Sequence, residues 1–132
     1  MLKRYILIIL VALSDTGCKL IDNVVPKVEE FSYELNAQKD TSFVIRSKGP
    51  KTQASFTIQG EISEQAKLIW DSMPLDTIKY SSPLPVATRE IVINAGTVDT
   101  TNTQENYSGL LYVKYMPSNG STSGILKVKV KM

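Results

Sequence analysis

Gly124-Ile125-Leu126-Lys127-Val128-Lys129-Val130-Lys131 decides how this chain is read. Leu126, Val128 and Val130 alternate with three lysines, which is the period of a strand with one face on a core and the other in water. Just upstream, Leu111, Val113 and Tyr115 repeat the alternation, and Asn119-Gly120 between the two runs supplies residues tolerant of positive φ, so the pair reads as a terminal hairpin. Phe43 and Ile45, then Ala54, Phe56 and Ile58, then Ile91 and Ile93 show the same pattern. Eight candidate strands result, at 31–35, 41–47, 53–60, 66–71, 77–80, 88–94, 109–116 and 124–131, with Pro50, Pro74, Pro83, Pro85 and Pro117 between them, where a missing N–H breaks no ladder. The expected fold class is all-β: a two-sheet antiparallel β-sandwich of about seven to eight strands. One segment has a competing reading, a helix capped by Ser63 in which Ala66, Ile69, Trp70 and Met73 fall at helical spacing; the β-prone Leu68-Ile69-Trp70 favours the strand.

Working outward, the chain of 132 residues is one domain at most. Its 15 Lys and Arg against 13 Asp and Glu leave a balance of +2 spread along the sequence, which argues against a nucleic-acid partner. The apolar fraction of 42% is enough to offset the ordering entropy of a folded domain.

The N-terminus is written differently. Lys3 and Arg4 precede an apolar run, Tyr5 to Leu13, and a small polar stretch, Ser14-Asp15-Thr16-Gly17, ends at Cys18, the single cysteine. Nine apolar residues are too few for a helix crossing a hydrocarbon core, which needs about 20. Residues 1–17 therefore read as a signal peptide, 18–30 as a short tether and 31–132 as the sandwich domain. The segment ending at Cys18 resembles the lipobox of bacterial lipoproteins, with Thr16 and Gly17 as the family has them and Asp15 where it usually has Leu or Val; looser lipoboxes of this kind occur in Bacteroidetes. That resemblance implies acylation of Cys18, a membrane partner through the N-terminal lipid, and an exported protein anchored to the cell envelope, at the outer membrane. Two or more acyl chains give stable attachment, at about 0.8 kcal/mol per buried methylene.

The body, 31–132, resembles Ig-like or transthyretin-like sandwiches, on the strand pattern, on Asn106-Tyr107-Ser108-Gly109 ahead of the run 109–116, and on Trp70 as a core tryptophan.

The side-chain inventory limits chemistry. With no His, neither a Ser-His-Asp nor a Cys-His arrangement can be built, nor the usual His-containing zinc site. Acid pairs such as Glu61 and Glu64 or Asp71 and Asp76 read as solvent-face and turn residues, and Asp99, Asn102 and Glu105 gather oxygens in one apparent loop without EF-hand spacing. No enzyme activity, cofactor or metal is expected. The expected function is a non-catalytic structural or protein-binding module of the envelope. The alternative is a carbohydrate-binding surface lipoprotein stacking sugars on Trp70, Tyr80, Tyr107 or Tyr112.

Candidate ligand-facing residues are Tyr112, Lys114, Lys127 and Lys129, which with Lys131, Leu110, Met116 and Ile125 would share the outer face of the terminal hairpin. The lysines read mainly as guards of an exposed edge strand. Asp71-Ser72-Met73, Asp76-Thr77-Ile78 and Asp99-Thr100-Thr101 are similar to the O-glycosylation signal of exported Bacteroidetes proteins, which makes Ser72, Thr77 and Thr100 candidate acceptors.

Overall fold

The computed structural model describes residues 27–49, 51–75 and 88–132. Among them are eight strands: β1 (Glu30–Asn36), β2 (Thr41–Arg46), β3 (Gln53–Ile62), β4 (Ala66–Asp71), β5 (Arg89–Ile93), β6 (Gly96–Glu105), β7 (Leu110–Pro117) and β8 (Gly124–Lys131). They form two antiparallel four-stranded sheets, ordered β1-β8-β3-β6 and β2-β7-β4-β5, a two-sheet β-sandwich.

The pairing is nested: β1 lies on β8, β2 on β7, β3 on β6 and β4 on β5. The chain is thus one long antiparallel ribbon, rolled so that β3 also meets β8 and β4 also meets β7. A ribbon rolled in this way is a jelly roll. The Ig-like or transthyretin-like order is therefore not adopted. An Ig-like layout keeps the last two strands in one sheet, whereas here β7 and β8 lie in opposite sheets and form no hairpin. The β7–β8 connection around Asn119-Gly120 crosses the distal end of the sandwich, where Ser121 N–H donates to Asn119 Oδ1 at 2.9 Å and Gln38 Nε2 to Gly120 O at 3.2 Å.

Residues 66–71 form the strand that Leu68-Ile69-Trp70 favoured over the competing helix, with Ala66, Leu68 and Trp70 alternating into the core. Residues 96–105, read as a loop, form a ten-residue strand. The run 77–80 lies outside the described residues.

Alternation places the core between the sheets. Phe56, Ile58, Leu126 and Val128 come from one inner face and Leu68, Leu111, Val113 and Tyr115 from the other, all 0–1% exposed. Each such large apolar side chain contributes about 1.5–3 kcal/mol by leaving water. Phe56 stacks on Trp70 across the sandwich, with ring centroids 5.3 Å apart. At one open side, Tyr33 of β1 and Phe43 of β2 stack at 4.0 Å and close the gap between edge strands. The buried Tyr115 hydroxyl donates to Ala37 O at 3.0 Å, and burial together with the Asp40 charge raises its pKa above the ordinary phenol value.

Strands β3 and β8 pinch together at two glycines. Gly60 has φ of +144°, and a Cβ there would lie 2.2 Å from the backbone oxygen of Ile125. Gly124 has φ of +125°, and its Cβ would lie 2.0 Å from the oxygen of Glu61. Both the dihedral and the space demand glycine. Gly60→Ala should therefore destabilise the domain by about 2 kcal/mol or more and lower the urea midpoint by roughly 1 M at unchanged m, measured by equilibrium unfolding.

Candidate binding surfaces

The two outer faces of the sandwich differ sharply. On the β1-β8-β3-β6 sheet, cross-strand rows read Glu30, Lys131, Ser55, Thr103; then Ser32, Lys129, Thr57, Thr101; then Glu34, Lys127, Gln59, Asp99. Ser55 and Thr103 hydroxyls meet at 2.7 Å, Thr57 and Thr101 at 3.0 Å, and Gln59 Nε2 donates to Asp99 Oδ1 at 3.0 Å. Lys131 and Lys129 reach Glu30 at 3.5 and 3.9 Å. These exposed pairs are worth about 0–1 kcal/mol each, so this face is a hydrated polar lattice rather than a source of stability.

The outer face of β2-β7-β4-β5 is amphipathic. Val44 sits beside Tyr112, and Lys67 lies between Met116 and Val92. Val44 is 44% and Val92 46% exposed, while Leu110, Tyr112 and Met116 are half-buried. Ile69, also outward by alternation, is nearly fully buried and lies between Lys114 and Glu90. Lys67 Nζ donates to Glu90 Oε2 at 3.2 Å at the rim.

Against this geometry the candidate residues divide. Tyr112 and Lys114 share the amphipathic face, but Lys127 and Lys129 project from the opposite sheet, so the four do not form one surface. Leu110 and Met116 stay with Tyr112, and Ile125 goes with the lysines. β8 is flanked by β1 and β3, so its lysines guard no edge.

The aromatic platform is likewise dispersed: Trp70 is buried in the core, Tyr107 is 72% exposed in the β6–β7 connection, and Tyr80 lies outside the described residues. That exposure also means that Tyr107 is not a corner residue packed beneath the penultimate strand. The Trp70 indole nitrogen is buried with no hydrogen-bond partner among the described residues.

Ser72 is exposed directly after β4, but the Asp71 of its signal is buried, its carboxylate accepting from Met73 N and Thr88 Oγ1 at 2.9 Å each. Thr100 is exposed in the middle of β6. Cys18 and Thr77 lie outside the described residues. Strand alternation sends Asn102 to the opposite side from Asp99 and Glu105, so these oxygens do not converge, and among the described residues no cluster of His, Cys, Asp and Glu is placed to hold a metal.

Sequence reading missed the latch where the chain enters the domain. Glu29 and Met132 exchange both backbone hydrogen bonds, at 2.8 and 3.0 Å, which extends the β1–β8 ladder to the C-terminus. The Lys51 ammonium is buried, donates to Lys27 O at 2.8 Å and pairs with the Glu29 carboxylate at 2.9 Å, which also accepts from Lys48 N at 2.7 Å. Only the neighbouring charges Lys48, Lys51 and Glu29 hinted at this, and their pairing is set by the tertiary fold.

No family model matches the chain, and no curated protein matches it. Among solved structures it is similar to a de novo designed double-stranded β-helix, determined by solution NMR, with TM-score 0.39, 10% identity and coverage of 79% of this chain and 99% of that one. It is also similar to the Yersinia pseudotuberculosis-derived mitogen, determined by crystallography, with TM-score 0.39, 10% identity and coverage of 80% and 86%. Neither likeness bears on function.

The latch makes stability depend on pH. The Lys51 ammonium and the Lys48 amide hold the Glu29 pKa below its ordinary value of 4.5. A carboxyl depressed by folding adds stability above its unfolded pKa and loses it as pH falls through the folded one. Urea midpoints should therefore show Glu29→Gln less stable than wild type near pH 7, with the gap closing as pH falls below 4.5.

Proposed function

We propose that this protein is a non-catalytic protein-binding module of the bacterial cell envelope, held by lipid on Cys18, with the outer β2-β7-β4-β5 face as its docking surface. The anchor rests on the basic start, the short apolar run and the single cysteine behind Gly17. The docking reading rests on one observation: Val44, Val92, Tyr112 and Met116 keep apolar surface exposed or half-exposed on one sheet face, while in the strands of the other face Ile125 alone does so among the described residues. Aromatic and Met groups are enriched in protein interfaces. Glycan stacking is less well supported, since Trp70 faces the core and Tyr107 stands apart from Tyr112.

Metabolic labelling with a fatty-acid analogue should mark the wild-type chain and leave Cys18→Ala unlabelled; equal labelling of both would end the anchor reading. For the surface, a photo-crosslinking residue at position 112 should give a discrete adduct with one envelope protein in cells. The same group at position 57, on the polar face, should not. Val44→Glu should abolish the adduct while leaving the urea midpoint nearly unchanged, as for an exposed position. Equal adducts from positions 112 and 57 would refute the docking surface.

A further inference from the structure

Strand β6 is the edge of its sheet, and it is unlike the other edges. It runs ten residues, against seven for β1, six for β2 and five for β5. Its pairing with β3 is uninterrupted from Gly96 to Glu105, so no bulge twists it away, and it contains neither Pro nor Lys. Natural sheets usually protect an edge by shortness, a bulge, Pro or charge, and of these β6 has only the acids Asp99 and Glu105.

The direction of its free backbone groups follows from the register. Asn106 N–H donates to Thr52 O in line with the β3–β6 ladder, and hydrogen-bonded pairs alternate along antiparallel strands. Gly96, Val98, Thr100, Asn102 and Gln104 therefore bond to β3, while Thr97, Asp99, Thr101, Thr103 and Glu105 turn their N–H and C=O groups outward. The β3–β8 ladder gives the same parity independently, because Ser63 N–H bonds to Ser123 O and the odd residues of β3 are committed to β8. Among the described residues no backbone group pairs with this outward row.

The row is complementary to itself. Turned by a two-fold axis at Thr101, a second β6 sets Thr97 against Glu105, Asp99 against Thr103 and Thr101 against its own copy. All five outward residues are then hydrogen-bonded pairs, and neither acid faces an acid. Between these pairs, Val98 meets Gln104 and Thr100 meets Asn102, both uncharged. We infer that two copies of this chain associate through β6, antiparallel and centred on Thr101, joining their β1-β8-β3-β6 sheets into one eight-stranded sheet. A two-fold contact of this kind is closed and cannot propagate into fibres through the same edge. The inference is independent of the lipid anchor and of the amphipathic face. A sugar on Thr100 would obstruct the pairing, so the modification and the dimer exclude each other.

Cysteine pairs in the full-length chain test the register. Hydrogen-bonded residues in antiparallel strands have Cα atoms about 5.5 Å apart, within disulfide range. Thr101→Cys should give a disulfide-linked dimer in cells under mild oxidation, beyond any seen with wild type. Asp99→Cys and Thr103→Cys chains should link to each other when co-expressed, and neither to itself. As a second measurement, Thr101→Lys and Thr101→Glu should each weaken self-association in sedimentation of the detergent-solubilised chain, and an equimolar mixture should restore it. The proposal is overturned by Thr101→Cys linking no better than wild type, by Asp99→Cys linking to itself as readily as to Thr103→Cys, or by wild type sedimenting as a monomer.

Discussion

Strand β3 is hydrogen-bonded on both sides, and the rest of the structure takes its register from it. Its odd residues face β8 and its even residues face β6, while the even side chains Ala54, Phe56, Ile58 and Ile62 point into the core. A slip of one residue would expose all four and break both ladders at once. The close approach at Gly60 and Gly124 fixes the same register sterically, since any other residue would meet backbone there.

The rolled ribbon follows from this double commitment. With β3 occupied by β8 and β6, β7 is left to β2 and β4 in the other sheet, and the two sheets share a core only because the ribbon bends over. Non-local pairing of this sort must meet loop-closure entropy before any contact is made, so the fold depends on the burial of Phe56, Trp70 and their neighbours rather than on local hairpins. The latch of Glu29, Lys51 and Met132 sits where the chain enters. Any load carried by residues ahead of Lys27 therefore reaches β1 through the Lys51–Glu29 ion pair and a paired backbone.

The two outer faces divide the surface by chemistry. Hydroxyls, amides and ion pairs meet one another on the β1-β8-β3-β6 face, and its β6 rim is the longer of the two edges where, among the described residues, backbone groups stay open. On the other sheet the backbone edges are short strands, and the unspent surface is apolar side chain. The first invites pairing by main chain and the second by side-chain packing.

The sequence by itself determined the all-β class, the two-layer arrangement and most of the core, because alternation in 53–60 and 124–131 is a local property of half-buried strands. It did not reveal β6, whose Thr, Asn and Asp residues place only Val98 in the core; an edge strand needs little apolar alternation, since its far side has no neighbour to bury against. It also misassigned β7 and β8 as a hairpin, because Asn119-Gly120 marks a change of direction but not which sheet receives the next strand. Tertiary structure alone decided that Lys114 and Lys127 face opposite ways, that Glu29 meets Lys51, and that Thr97 to Glu105 end a sheet. Those facts depend on how a ribbon rolls to bury both its legs, and that is a property of the whole chain.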